Sequence, residues 1–155
     1  MIPPPDDIDR LMAVMQTAFP PEYGEAWTRR QVEDALLLGH TFYALVSADG
    51  REPQGDEPAA GFFLSRHGFE EEELLLLAVD PAHRRKGLAS RLLDRLAAEA
   101  RARGAQRLLL EMRRGNPAEM LYRAHGFAPI GERLKYYRTP GGERLDAITF
   151  CRDFN

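Results

Sequence analysis

The sequence predicts an α+β fold with a mixed sheet. Apolar residues recur at helical spacing in four segments and at strand spacing in six, in the order α, α, β, β, β, α, β, α, β, β. The first three strands follow one another through short or polar loops, a helix stands on either side of the fourth, and the last two form a hairpin. A length of 155 residues suits one compact core, so a single domain over residues 1–155 is expected.

Ile8, Leu11, Met12, Met15 and Phe19 mark a first helix, with Asp6 and Asp7 placed to cap its start. Thr28 with Gln31 resembles a capping box, and Val32, Ala35, Leu36 and Leu38 continue an apolar face until Gly39. Thr41 to Ala48 alternates as a strand, and Asp49 to Pro58 is a polar, Gly/Pro-containing loop. Ala60 to Arg66 and Glu72 to Val79 read as strands joined by a turn at His67-Gly68, which gives a three-strand meander. Beyond Pro81, Leu88, Leu92, Leu93, Leu96, Ala97 and Ala100 share one face of a helix ending near Gly104. Arg107 to Arg113 is a short strand. Asn116-Pro117 looks like a cap with proline at the first helical position, opening a helix through Met120, Leu121 and Ala124. Phe127 to Arg138 and Leu145 to Arg152 flank Thr139-Pro-Gly-Gly, the turn chemistry of a hairpin.

Composition excludes several classes. Apolar residues make up 44% and charged residues 29%, which is ordinary globular usage. The longest apolar run, Leu74 to Val79, is six residues and too short to span a bilayer. The segment Met1 to Arg10 reads Pro-Pro-Pro-Asp-Asp where a signal peptide needs a basic patch and an apolar stretch, so a cytoplasmic protein without membrane association is expected. Cys151 alone cannot form an internal disulfide, and His40, His67, His83 and His125 show no ligand spacing, so no metal is expected. Solvated structural roles are expected for His83 and His125, and a small core residue at Cys151.

Net charge is −3 but unevenly spread: Pro81 to Gly115 carries ten Lys/Arg against three Asp/Glu. A basic segment on an acidic chain implies an anionic ligand held at one place. The focus is Leu77-Ala-Val-Asp-Pro-Ala-His-Arg-Arg-Lys-Gly-Leu-Ala-Ser90, where a strand meets a basic loop and then the long helix. Unbonded amides at a helix N-terminus form an anion site, small residues at 87 and 89 let phosphate oxygens approach, and Arg84 and Arg85 add charge. A pyrophosphate suits this loop, although the same pattern also occurs as a solvated cap. The absence of Gly-x-Gly-x-x-Gly and of Gly-Lys-Ser/Thr argues against dinucleotide and nucleoside-triphosphate sites. With no aromatic-interleaved basic stripe, no nucleic-acid partner is expected.

Arg84-Arg-Lys-Gly-Leu-Ala89 resembles the acetyl-CoA signature of the GNAT acetyltransferase superfamily, with Ala89 where glycine is commoner. Leu110-Glu-Met-Arg113, Asn116 and Leu121-Tyr-Arg-Ala-His-Gly-Phe127 are similar to its second motif. Ala18-Phe-Pro20 with Trp27, Tyr136-Tyr137 and Asp146-Ala147 resemble the RimI-type ribosomal-protein alanine N-acetyltransferases. The resemblance implies a mostly antiparallel mixed sheet with a splayed parallel strand pair, flanked by about four helices. It implies acetyl-CoA as co-substrate, with Leu77, Ala78 and Val79 offering backbone groups to its arm and thioester. Arg84, Arg85, Lys86, Gly87, Leu88, Ala89 and Ser90 would hold the pyrophosphate, and Asn116 would assist. Glu111 matches the general base and Tyr122 the general acid. Residue chemistry leaves alternatives beside these: Tyr122 as a core aromatic and Asn116 as a helix cap. A glutamate within an apolar strand is harder to explain away, because burying an unpaired carboxylate is costly.

An α-amine titrates near ~7.8 and a lysine near ~10.4, so one carboxylate base suits a protein N-terminus. Acetylation of a small amine or of a lysine side chain remains a second reading, and a catalytically silent acyl-CoA-binding module a third. The run Glu70 to Glu73 is either a lure for basic acceptors or a solvated turn. A monomer or weak homodimer is expected.

Overall fold

The computed structural model describes residues 5–154; Met1–Pro4, part of the segment searched for a leader, lie outside the described residues. Ten main elements follow the expected order: α1 (Pro5–Ala18), α2 (Arg29–Leu36), β1 (Thr41–Val46), β2 (Gly61–His67), β3 (Glu71–Val79), α3 (Leu88–Ala102), β4 (Arg107–Arg113), α4 (Glu119–Ala124), β5 (Ala128–Arg138) and β6 (Arg144–Asp153). Short 3-10 turns at Pro21–Tyr23 and Pro81–His83 were not foreseen, and each begins at a proline. No helix among the described residues is long and apolar enough to cross a membrane.

The six strands form one sheet in the order β1-β2-β3-β4-β6-β5. All neighbours are antiparallel except β3 and β4, which run parallel because α3 carries the chain across between them. Apolar side chains on both faces then need covering. Leu45, Phe62, Leu64, Leu76 and Ala78 pack with Ile8, Leu11, Met15 and Val32 from α1 and α2. On the other face Phe63, Leu108, Leu110 and Phe150 pack against α3, whose six anticipated apolar residues are all buried.

A bulge interrupts β3. Leu64 pairs with Leu76 but Ser65 pairs with Leu74, so Leu75 is the extra residue and side-chain alternation reverses there. Leu74 therefore belongs to the α3 core, while Leu76 and Ala78 belong to the α1–α2 core.

Several local expectations are corrected. α1 begins before Asp6 and Asp7, which lie in its first turn instead of capping it; Asp7 bonds Arg10 and the Tyr43 hydroxyl. The capping box at Thr28 and Gln31 forms in both directions, yet α2 stops at Leu36 and leaves Leu38 62% exposed. The last helix does not open at Pro117 as expected: Asn116 Oδ1 accepts the Ala118 N–H at 2.9 Å, closing a separate turn, and α4 starts at Glu119. Of the run Glu70 to Glu73, only Glu70 stays in the turn. Glu71 pairs with Arg107, Glu73 with Arg66, and Glu72 is completely buried against Ser65, His67 and Arg103.

Gly61, at the start of β2, lies where β1, β3 and α3 converge. A Cβ there would sit 2.9 Å from the Ala78 carbonyl oxygen and 3.2 Å from Leu92. Gly61→Ala is expected to force these elements apart and to cost about 1–3 kcal/mol, read as a lower midpoint in thermal denaturation.

Candidate active site

The β3–β4 ladder has four rungs, from Glu71–Arg107 to Leu74–Leu110, and ends where β3 bulges. Beyond it, β3 stays with β2 and β4 stays with β6, so the two strands part. The gap opens into a cleft of about 770 Å³, walled by Leu74–Val79, Leu110–Arg113, the α1–α2 connection and the start of α4.

On β3, Asp80 N–H turns to the Ala60 carbonyl, so alternation turns the backbone groups of Val79 and Leu77 the other way, toward β4. Ala78 faces β2. Arg84 donates from Nε to the Val79 carbonyl at 3.3 Å and from Nη2 to the Ala18 carbonyl at 3.0 Å, tying the end of β3 to the end of α1. Two of its donors are thus committed to backbone.

The loop that follows is shaped by two left-handed residues, Arg85 at φ 65° and Gly87 at φ 77°. Glycine is favoured at 87 by that angle, and nothing lies within 4 Å of where its Cβ would be. Gly87 is the N-cap of α3 and supplies no side-chain bond, leaving the amides of Leu88, Ala89 and Ser90 without a cap. Arg85 and Lys86 are exposed beside them. This combination fits an anion. Ala89 and Arg84 also line the cleft, joining the loop to the strand gap.

Glu111 and Tyr122 face the same cleft from β4 and α4. Glu111 is half-buried; Thr149 Oγ1 donates to it at 3.4 Å, and Arg133 Nε lies 3.6 Å away. Tyr122 is buried, with its ring edge-on to Phe127. Burial above all, and the Glu25 carboxylate after it, push its hydroxyl well above the usual tyrosine range, so it holds its proton. Asn116 both caps its turn and lines the cleft.

Sequence reasoning missed Glu25, Arg113 and the role of Tyr137. Arg113 is buried, its guanidinium 3.5 Å from the Tyr23 ring centre and 3.6 Å from Glu25, and its Nε has no hydrogen bond. Strand alternation puts Arg113 on the same side as Glu111, a signal that was available. Glu25 carries none, because it reaches the cleft from an irregular loop. Tyr137 lines the cleft from β5; burial first, then Glu111 and Glu25, push its hydroxyl up to about 12.

Comparison with known proteins agrees with this geometry. The chain is 42% identical over 80 residues to the [ribosomal protein bS18]-alanine N-acetyltransferase of Haemophilus ducreyi, covering 51% of this chain and 55% of that one. It is 40% identical over 90 residues to the enzyme of the same name from Escherichia coli K12, covering 57% and 60%. The match thus spans little more than half the length of these curated relatives. The crystal structure of the Escherichia coli ribosomal-protein-S18-alanine N-acetyltransferase superposes with a TM-score of 0.78 at 26% identity, covering 100% of this chain and 92% of that chain. The model of the acetyltransferase (GNAT) family matches residues 8–127. With the splayed parallel strands and the uncapped helix beside them, that match makes this chain a member of the acetyltransferase (GNAT) family.

Proposed function

We propose that this chain, acting as one domain, is an acetyl-CoA-dependent N-acetyltransferase whose acceptor is the α-amine of a protein N-terminus. The observation that carries the proposal is the four-rung β3–β4 ladder opening into a cleft that Glu111 and Tyr122 both face. Acetyl-CoA, when bound, supplies an activated acyl carbonyl and a thiolate leaving group. The Leu88, Ala89 and Ser90 amides, with Arg85 and Lys86, would hold its diphosphate, and Arg84 would brace the loop. Leu77 would offer its backbone groups to the arm, and Val79, whose carbonyl is taken by Arg84, would offer its N–H to the acyl oxygen. Ala78 would keep that edge in register, and Gly87 gives the phosphates room. Asn116 would add a side-chain amide donor.

Glu111 would take a proton from the acceptor ammonium, leaving the neutral amine that attacks the carbonyl carbon. As the C–N bond forms and the C–S bond breaks, Tyr122 would give its proton to the departing sulfur, and the second proton shed by the new amide nitrogen would return through water to the tyrosine oxygen. The alanine-directed activity in the names of the curated relatives supports a protein N-terminus, as does the lower pKa of an α-amine compared with lysine.

Mass spectrometry after incubation with acetyl-CoA and either an alanine-starting peptide or a polyamine tests the acceptor. Acetylation of the peptide N-terminus is expected, and Glu111→Gln should slow it roughly 10²-fold or more. Acetylation of the polyamine alone would reassign the acceptor to a small amine. Tight coenzyme A binding without transfer to either would favour a silent acyl-CoA-binding module.

A further inference from the structure

α4 ends against the first turn of α3, and His125 stands at the join. Its Nε2 lies 3.1 Å from Ser90 Oγ, and its Nδ1 lies 3.5 Å from Asp94 Oδ1. Ser90 and Asp94 are one helical turn apart, so a single imidazole spans both. Only 15% of the His125 side chain is exposed, against 73% of Asp94. His125 was expected to be solvated and without a partner; it instead bridges to the uncapped end of the helix that carries the basic loop.

The bridge has two protonation states with opposite consequences. In the neutral ring with its proton on Nδ1, the nitrogen facing the Asp94 carboxylate, Nε2 is an acceptor. The Ser90 hydroxyl then gives its proton to the ring and offers only lone pairs outward. In the imidazolium both nitrogens donate: Nε2–H bonds Ser90 Oγ, and the hydroxyl proton is released to point elsewhere. The second state gives an anion at the α3 N-terminus one more donor and a nearby positive charge.

Other charges around His125 come from three elements. Asp94 on α3 presents a carboxylate to the ring. Arg123, on α4 itself, is paired with Glu119 at 2.8 Å. Arg152 on β6, whose stem would pass 3.5 Å from a Cβ on Gly126, holds its guanidinium over Phe154. His125 is itself the C-cap of α4, at the carbonyl end of that helix.

We infer that His125 is a positioning residue for the diphosphate: it takes up a proton from solvent as coenzyme A binds and thereby turns the Ser90 hydroxyl toward the phosphates. This rests on the cofactor loop proposed above. The proton comes from water or buffer, no other bond is made or broken, and Asp94 is the counter-ion.

Calorimetric titration with coenzyme A at pH 7.5, in two buffers of different ionisation heat, counts the protons taken up. The wild-type chain is expected to take up a fraction of a proton per site. His125→Gln should abolish that uptake and raise Kd roughly ten-fold. The KM for acetyl-CoA should rise in step while kcat holds, because His125 acts at the diphosphate end. Adding Ser90→Ala to His125→Gln should cost little more, since the pair acts as one unit. Equal uptake in wild type and His125→Gln, or an unchanged Kd, overturns the inference. Asp94→Asn, at an exposed position, should lower the uptake without disturbing the fold; if His125→Gln does not fold, unchanged uptake in Asp94→Asn overturns the inference instead. No heat with the wild-type chain at any dose overturns the cofactor loop itself, a result distinct from either.

Discussion

Replacing Tyr122 by Phe is expected to lower kcat roughly 10²- to 10⁴-fold, the usual contribution of a positioned general acid, while coenzyme A affinity changes little. The substitution removes one hydroxyl and keeps the ring that packs on Phe127. Burial holds that hydroxyl in its protonated form, so it keeps a proton to give at neutral pH, as the proposed role requires. Steady-state kinetics beside thermal denaturation separate the roles: a large fall in kcat at an unchanged melting midpoint marks an acid. A structural aromatic would give the reverse, with turnover intact. Since thiolate departure needs the proton only as the C–S bond breaks, KM for acetyl-CoA should stay within a few-fold of the wild type.

The second large effect is on stability and lies away from the cleft. Glu72 is buried completely, yet Ser65 donates to it at 2.7 Å, His67 Nδ1 lies 3.1 Å away, and Arg103 bonds it through both Nε and Nη2. Arg103 in turn stacks on Phe42, its guanidinium carbon 3.7 Å from the ring centre. This knot ties β3 to β2 and to the end of α3. Glu72→Ala strands Arg103, at a cost of about 3–5 kcal/mol. The melting midpoint should fall by on the order of 10 °C.

The pH dependence follows from the same carboxyl. Burial works against its charge, but the bonds from Arg103 and then Ser65 prevail and hold it below the usual glutamate range. A carboxyl depressed in the folded chain stabilises fully above its unfolded pKa and loses that contribution as pH falls through the folded value. Wild-type stability should therefore drop on acidification, with a shallower slope in Glu72→Gln. Equal acid slopes in chemical denaturation at several pH values would remove Glu72 from the account.

That knot also marks how far sequence could be read. Four consecutive glutamates carry no internal contrast, so nothing local says that the third is buried; the deciding partners come from residues 65, 67 and 103. Features set by short-range chemistry were readable: the Thr28–Gln31 capping box, the buried stripe of α3, and the glycine at 87. Local rules failed where a neighbour offered a competing bond. Asn116 capped a turn of its own, so the proline after it does not open the helix. The basic loop is visible in the sequence, but nothing local says that Arg84 spends two donors on the Val79 and Ala18 carbonyls. Glu25 reaches the cleft only because an irregular connection lays it beside Arg113.

The parting of β3 from β4 has a thermodynamic corollary. Each strand is held from behind, β3 along β2 and β4 along β6, so the width between them is set by sheet geometry and not by what fills it. A guest entering such a slot freezes few backbone torsions, and little conformational entropy opposes its association. Preorganisation of this kind favours rapid entry with no slow rearrangement, and it leaves the strand edges ready to hydrogen-bond an extended chain.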